Sequence, residues 1–311
     1  MDRTIVVICG PTAVGKTAYA IRAAQALDGE IVSCDSMQLY KYMDIGSAKP
    51  TPEERAAVPH YLVDEIDPAE EFSVAKFQKL ARDAIETIFR KGKLPVIAGG
   101  TGLYVNSILY DMDFSAPPKE SGYREELYAI AEEQGPEALH ARLMEADPEA
   151  AGRIHPNNIK KVVRAIEAAE EGTPVRNFRT DLKKTEAYRA VVVVLARDRE
   201  ELYDRINRRV DILMEMGLLD EVKGLLARGL TADDISMKGI GYKELIGYLE
   251  GEYDLPEAVR LIKRNTRHLA KRQMTWFRRL EDAKWFDIST YENDEACIKE
   301  MILWLKTEIS R

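Results

Sequence analysis

The chain has 311 residues, 45% hydrophobic and 32% charged, with a formal net charge of −8. That length supports one large or two medium domains around a substantial core. No apolar run approaches ~20 residues, which excludes a membrane-spanning helix and a membrane partner.

Residues 4–9 read as a buried strand that starts almost at the first residue, with no charged-then-apolar leader, so the expected compartment is the cytoplasm. The three cysteines, Cys9, Cys34 and Cys297, are far apart and form no Cys-x-x-Cys pair. A disulfide framework or structural zinc is not expected, and Cys9 and Cys34 read as small core residues.

Gly10-Pro11-Thr12-Ala13-Val14-Gly15-Lys16-Thr17 follows the first strand and opens a helix over 16–27. Strand, glycine-bounded loop, Lys-Thr and helix make the phosphate-cradling P-loop. Glycines let successive backbone N–H groups converge on one anion, and the helix N-terminus adds partial positive charge. Lys16 supplies a full charge, and the Thr17 hydroxyl can ligate Mg²⁺. A di- or triphosphate is therefore expected at this loop.

Glu30–Asp35 reads as a second short strand ending in an acid. Asp35, followed by Ser36 and Gln38, is placed to meet a second substrate; its alternative reading is a turn acid. Residues 36–60, with Gly46, Pro50, Pro52 and Pro59, read as a long functional loop. Val74, Phe77, Ala81, Ile85 and Ile88 form the apolar stripe of a helix over 73–91, with Ser73 as N-cap and Gly92 as stop. Leu94–Ala98 is the next buried strand. It ends in Gly99-Gly100-Thr101-Gly102, and a helix starts near Leu103. Thr101 offers a hydroxyl at that helix N-terminus.

Ser115-Ala116-Pro117-Pro118 interrupts the pattern, and residues 121–171 read as helices broken at Asp147-Pro148 and at His155–Asn158. We expect an α/β fold: a P-loop-type parallel sheet flanked by helices, formed by residues 1–111 and 188–311, with a helical insertion domain at 112–187. Ala190–Leu195 returns to a core strand; helices follow at 199–217, 218–228, 241–250 and 256–280, then a short strand at 285–288 and a helix at 294–309. Ligands should gather at the C-terminal strand edge, where Gly10–Thr17, Asp35 and Thr101 all fall.

Arg205 and Arg209 share a helix face at i, i+4 and are candidates to reach a phosphate. The alternative is a solvated basic face. Arg260, Lys263, Arg264, Arg267, Lys271, Arg272, Arg278 and Arg279 occur with no acid between them. In an acidic chain that run points to polyanion binding. Lys160, Lys161 and Arg164 could extend that basic face. A zinc deaminase signature and a Gly-x-Ser-x-Gly elbow are both absent, and the four histidines read as structural.

The motif order is Gly10–Thr17, Ser33-x-Asp35-Ser36-x-Gln38-x-Tyr40, Met43–Pro50, Gly99–Tyr104, Ile154–Asn157, Gly241-Tyr242-Lys243-Glu244 and Ala270–Trp276. It resembles the bacterial tRNA dimethylallyltransferases, also called tRNA isopentenyltransferases, from residue 3 to about 287. Lys160-Lys161 stands where relatives often have Gln-Arg, and the zinc-finger extension of eukaryotic members is missing.

The resemblance implies transfer of a dimethylallyl group from its diphosphate to N6 of adenosine 37 in tRNAs reading UNN codons. Gly10, Pro11, Thr12, Ala13, Val14, Gly15, Lys16 and Thr17 would hold the donor diphosphate. Asp35 would serve as base, with Lys16, Thr17, Arg209 and Thr101 in the catalytic set and Mg²⁺ on Thr17. Asp35, Ser36, Met37, Gln38, Thr101, Arg124, Lys160, Lys161, Arg164, Lys271 and Arg272 would contact the anticodon stem-loop. A monomer is expected. The reading from a different class is an ATP-binding small-molecule or nucleoside kinase.

Overall fold

In chain order the elements are β1 (Thr4–Cys9), α1 (Lys16–Ala26), β2 (Gly29–Ser33), α2 (Pro52–Ala57), β3 (His60–Tyr61), α3 (Val74–Arg90), β4 (Leu94–Gly99), α4 (Gly102–Leu109), α5 (Tyr123–Glu133), α6 (Pro136–Ala146), α7 (Pro148–Arg153), α8 (Ile159–Glu170), β5 (Arg189–Ala196), α9 (Arg199–Glu215), α10 (Leu218–Ala227), α11 (Tyr242–Leu249), α12 (Leu255–Phe277), β6 (Lys284–Asp287) and α13 (Asp294–Ile309). They come from a computed structural model that describes residues 3–112, 114, 122–172 and 182–311. The expected break at Ser115–Pro118 lies outside the described residues.

The strands form one sheet in the order β3-β2-β4-β1-β5-β6, every pairing parallel. The central strand β1 pairs Val6 with Val96 on one side and Val7 with Val192 on the other. Its six residues are all buried, as a strand covered on both faces requires. Alternation then divides the side chains. Val6, Ile8, Ile31, Val96, Val193 and Leu195 join one cluster with buried residues of α1 and α13. Ile5, Val7, Val32, Ile97 and Val192 point to the opposite face, where α3 packs on β2 and β4. The α3 stripe is buried at Phe77, Ala81, Ile85 and Ile88, and Ser73 caps it by accepting from the Lys76 N–H.

By backbone contacts the chain forms two compact units, Met1–Leu109 with Thr185–Arg311, and Tyr110–Lys184. The junctions fall a few residues earlier than the 111/112 and 187/188 expected. The second unit packs α5, α6, α7 and α8 around Leu127, Leu139, Leu143, Val162, Val163 and Ile166. Asp147 ends α6 and caps α7 through the Ala150 N–H. A further break separates α5 from α6 at Gln134-Gly135-Pro136, beyond those expected from the sequence; Gly135 takes φ 91 there.

Two expectations are corrected. Residues 36–60 are not a continuous loop: Thr51 and Glu54 form a reciprocal capping box with Pro52 just inside it, and α2 follows. Proline without its N–H fits the first helical turn, so the same residue that suggests a loop here opens a helix. The second strand ends at Ser33, so Asp35 lies in the connection beyond it.

Candidate active site

The parallel sheet brings the ends of β1, β2 and β4 side by side. Gly99 at the end of β4 is pressed against the Cys34 carbonyl, since a Cβ there would lie 2.0 Å from that oxygen. Only glycine permits this approach. It sets the Gly99–Gly102 turn directly beside the chain leaving β2. Thr101 donates its N–H to the Cys34 carbonyl (3.3 Å), and its Oγ1 accepts from the Ser36 N–H (3.2 Å). Asp35 Oδ1 accepts from the Met37 N–H at 2.9 Å, closing a local turn. The turn-acid reading of Asp35 is therefore correct for one of its oxygens.

A cleft opens at this edge, lined among others by Lys16, Thr17, Ser33, Asp35, Gln38 and His60. Lys16 and Asp35, far apart in sequence, face the same space, and the Asp35 charge is felt at Lys16. Ser33 Oγ donates to Gln38 Oε1 at 2.8 Å, and Gln38 Nε2 donates to the Ala48 carbonyl at 3.3 Å. Gln38 thus ties the start of the cleft-lining loop to its end.

The P-loop is held from behind by arginines. Arg197 Nε donates to the Val14 carbonyl at 3.2 Å, while its other nitrogens pair with Glu201 and Asp294. Arg205 Nε donates to the Ala13 carbonyl at 3.0 Å. Ala13 sits at φ 62, a left-handed conformation uncommon for a residue with a Cβ. The bond to Arg205 helps hold it there. Arg205 therefore supports the loop and does not point past it. Gly15 caps α1 with no side chain to take up the first N–H groups of that helix.

Lys16 Nζ bonds the Pro11 carbonyl at 2.8 Å. Burial pulls its pKa down to about 8; the Asp35 charge opposes this, and Arg209 adds to it. By area the residue keeps part of its surface open. Arg209 is open to solvent by area, yet desolvation pulls its guanidinium down, Glu54 opposes and Arg205 reinforces the shift. Burial pushes the Cys9 thiol up to about 12 and the Cys34 thiol well above its usual value. Both are inert core groups, as expected.

Three features escape a reading of the sequence. Gln273 on α12 accepts from the Thr12 N–H through Oε1 and donates to the Gly100 carbonyl through Nε2, both at 2.9 Å. The Thr12 N–H is thus engaged by Gln273. Glu221 on α10 accepts from the N–H groups of Asp44, Ile45 and Gly46 (2.7, 2.7 and 3.0 Å) and from the Tyr242 hydroxyl. Gly46 lies against the Tyr242 ring. Arg197 is the third. Gln273 and Tyr242 do lie inside the family motifs; Glu221 reads in sequence like any solvent-facing helix acid.

On α12, Arg260 pairs with Glu257, Lys263 with Asp211, and Arg267 with Asn207. Lys271, Arg272, Arg278 and Arg279 are exposed and, among the described residues, have no carboxylate partner. Within the basic run, Arg260, Lys263 and Arg267 are thus engaged by neighbouring side chains, and Lys271, Arg272, Arg278 and Arg279 are left open. In the helical unit, Lys160, Lys161 and Arg164 are exposed on α8. Arg124 on α5 is held by Glu167 through two bonds, 2.9 and 2.8 Å. Among the described residues no group of three or more His, Cys, Asp or Glu is placed to hold a metal ion, and no helix is long and apolar enough to cross a membrane.

Family models match along most of the chain: one for IPP transferase over residues 38–280 and one for isopentenyl transferase over residues 3–71. Over 296 residues, 95% of each chain, the sequence is 53% identical to the tRNA dimethylallyltransferase of Alkaliphilus oremlandii. The chain belongs to the IPP transferase family of tRNA dimethylallyltransferases. The relative from Clostridioides difficile is 50% identical over 305 residues, 98% of both chains. Among solved structures, the full-length tRNA isopentenylpyrophosphate transferase from Bacillus halodurans is 43% identical with a TM-score of 0.76, covering 99% of this chain and 97% of that one. A eukaryotic dimethylallyltransferase acting on tRNA is 29% identical with a TM-score of 0.85, over 99% of this chain and 79% of its own. This dimethylallyltransferase fold is the expected α/β arrangement, a parallel sheet flanked by helices.

Proposed function

We infer that the protein transfers the dimethylallyl group of dimethylallyl diphosphate to N6 of adenosine 37 in tRNAs reading UNN codons, releasing diphosphate. The observation that carries this is the cleft shared by a P-loop lysine and an acid beyond β2. It offers an anion cradle and a proton acceptor facing one space.

The step is a substitution at the allylic carbon. The bond from that carbon to the diphosphate oxygen breaks, a bond to N6 forms, and N6 loses one proton. Negative charge grows on the leaving diphosphate. The N–H groups at the start of α1, Lys16 and Arg209 meet it in a partly desolvated site, where each is worth more than in water. Adenine N6 is a weak nucleophile because its lone pair is conjugated with the ring. Asp35 orients the amine and accepts its proton, one oxygen being fixed by the Met37 N–H. Thr101, bonded to Ser36, sets the height of that turn.

Thr17, in the first turn of α1, lines the cleft beside Lys16, and its hydroxyl would suit Mg²⁺, which commonly takes few protein ligands plus phosphate oxygens and water. When bound it supplies additional charge neutralisation for the diphosphate. Adenosine 37 must leave the stacked anticodon loop to enter the cleft. Exposed cations on α12 and on α8 would bind phosphates of the stem, consistent with a cytoplasmic tRNA enzyme.

The test is nucleoside mass spectrometry after incubation with tRNA, Mg²⁺ and dimethylallyl diphosphate. We expect N6-dimethylallyladenosine at position 37. Unmodified tRNA, together with a melting temperature raised by ATP and not by the allylic diphosphate, would favour a kinase instead.

A further inference from the structure

We propose that Gln273 is a positioning residue that holds the donor cradle and the acceptor turn in register. The inference rests on the prenyl-transfer reading of the same cleft. Its side-chain amide uses both ends at once, accepting from the Thr12 N–H and donating to the Gly100 carbonyl. These two backbone groups belong to different loops. Thr12 lies in the P-loop, three residues before the cap of α1. Gly100 precedes Thr101, whose hydroxyl bonds the Ser36 N–H beside Asp35. One amide therefore spans the gap between the part of the site that binds diphosphate and the part that presents the base.

The Gly100 side of this amide is tightly packed. A Cβ on Gly100 would lie 2.6 Å from Gln273 Nε2, 3.3 Å from the Gly10 carbonyl and 3.4 Å from Lys16 Nζ. One turn further along α12, Trp276 packs on Gly102, where a Cβ would meet the indole at 2.4 Å. Gln273 and Trp276 thus seat α12 against the Gly99–Gly102 turn. The neighbouring Lys271 and Arg272 are exposed and without carboxylate partners among the described residues. The helix that offers cations to a polyanion is the helix that fixes the P-loop.

The bond polarity is specific. Glutamate could accept from the Thr12 N–H but would turn a second acceptor toward the Gly100 carbonyl. Protonated glutamic acid restores the donor. A side chain that only filled space would not distinguish these states.

Gln273→Ala and Gln273→Glu are compared with wild type in three assays: single-turnover prenyl transfer at saturating substrates from pH 5.5 to 8, calorimetric binding of inorganic pyrophosphate with Mg²⁺, and tRNA binding. We expect Gln273→Ala to lower the transfer rate about 10- to 100-fold, the scale for misplacing reactants by a fraction of an ångström to one ångström. Pyrophosphate affinity falls about tenfold as the cradle becomes less preorganised, while tRNA affinity stays within about twofold. Gln273→Glu matches the alanine variant at pH 8 and recovers toward wild type as pH falls; Gln273→Ala does not. A wild-type rate and pyrophosphate affinity in Gln273→Ala, or identical pH profiles for the two variants, overturns the proposal. If wild type binds pyrophosphate and Gln273→Ala weakens it, but no prenyl group is transferred, the assigned reaction fails and the positioning role stands.

Discussion

Replacing Lys16 by methionine should stabilise the unliganded protein while abolishing its activity. Burial takes the ammonium from 10.5 down to about 8. At ~1.4 kcal/mol per pH unit, holding that charge costs the folded state about 3 kcal/mol at neutral pH. Methionine keeps the stem and removes the charge. It also removes the bond to the Pro11 carbonyl, worth about 1 kcal/mol, so the net gain is about 2 kcal/mol. With an unfolding entropy of about 2.1 cal/mol/K per residue over 311 residues, this raises Tm by about 3 °C. The pH dependence is diagnostic. The unfolded chain keeps this proton up to 10.5, whereas the folded protein releases it near 8. Between those values the unfolded state binds more protons, so wild-type stability from this group rises with pH. The advantage of methionine is full below about 8, shrinks above it, and by about 10.5 reverses to a deficit of about 1 kcal/mol from the lost bond to Pro11. Diphosphate affinity moves the opposite way in wild type, falling as pH rises through 8 because binding needs the charged form. Thermal melts of both proteins at pH 7, 8.5 and 10 check the stability effect, and calorimetry with pyrophosphate checks the binding. A variant that melts below wild type at pH 7, or a difference independent of pH, would refute the reasoning.

Asp35→Ala should lose roughly 10²–10⁴ in the rate of prenyl transfer while keeping donor affinity; full activity on tRNA removes Asp35 from the role of base. The double variant Lys271→Ala with Arg272→Ala should weaken tRNA binding and lower the slope of log K against log salt by about 2, one for each phosphate no longer neutralised. An unchanged slope, measured by filter binding from 50 to 300 mM salt, places those cations outside the interface. Glu221→Ala leaves three backbone N–H groups and the Tyr242 hydroxyl without their acceptor, and should cost about 2–3 kcal/mol. The 43–49 segment should become sensitive to limited proteolysis while pyrophosphate affinity holds; equal cleavage rates argue against Glu221 as its latch.

The sheet is legible in the sequence because each central strand is a continuous apolar run bounded by glycine or charge, which covered parallel strands require. Helix α3 is legible from its stripe and from Ser73. The elements that escape are the ones whose signals carry two meanings. Pro52 reads as a loop residue until Thr51 and Glu54 are seen to cap around it. The pair His60–Tyr61 is too short to show periodicity, and its place at the sheet edge comes from pairing with β2. In the site, Lys16, Thr17, Asp35 and Thr101 are legible because local motifs put them just past β1, β2 and β4. Gln273 and Glu221 act on backbone groups distant in sequence, and no local pattern encodes such an interaction. The basic run on α12 is legible as a run, but the sequence does not divide it: Asp211 and Asn207, which engage Lys263 and Arg267, lie on another helix.

The cations near the P-loop fall into two groups, and the division bears on what the loop holds. Arg197 is almost wholly enclosed, its side chain 5% exposed, and it is matched by two carboxylates and a carbonyl. Its charge is satisfied without a ligand, so it can only build the loop. Lys16 is different. It is pulled down by desolvation and has no carboxylate within ion-pair distance among the described residues, while Arg209, also without one, stands open to solvent. A protein that desolvates a cation without pairing it carries a standing cost, which an arriving anion removes. Asp35 is near enough to be felt at Lys16 but not to pair with it, so the two charges stay separate. Had they formed a salt bridge, the carboxylate would be a poor base and the ammonium a poor phosphate ligand. Kept apart across one cleft, each is free to serve the proposed reaction, Lys16 toward the diphosphate and Asp35 toward the N6 proton. In that reaction the allylic carbon lies between them, so the separation of the P-loop from the Asp35 turn becomes a quantity the proposal depends on.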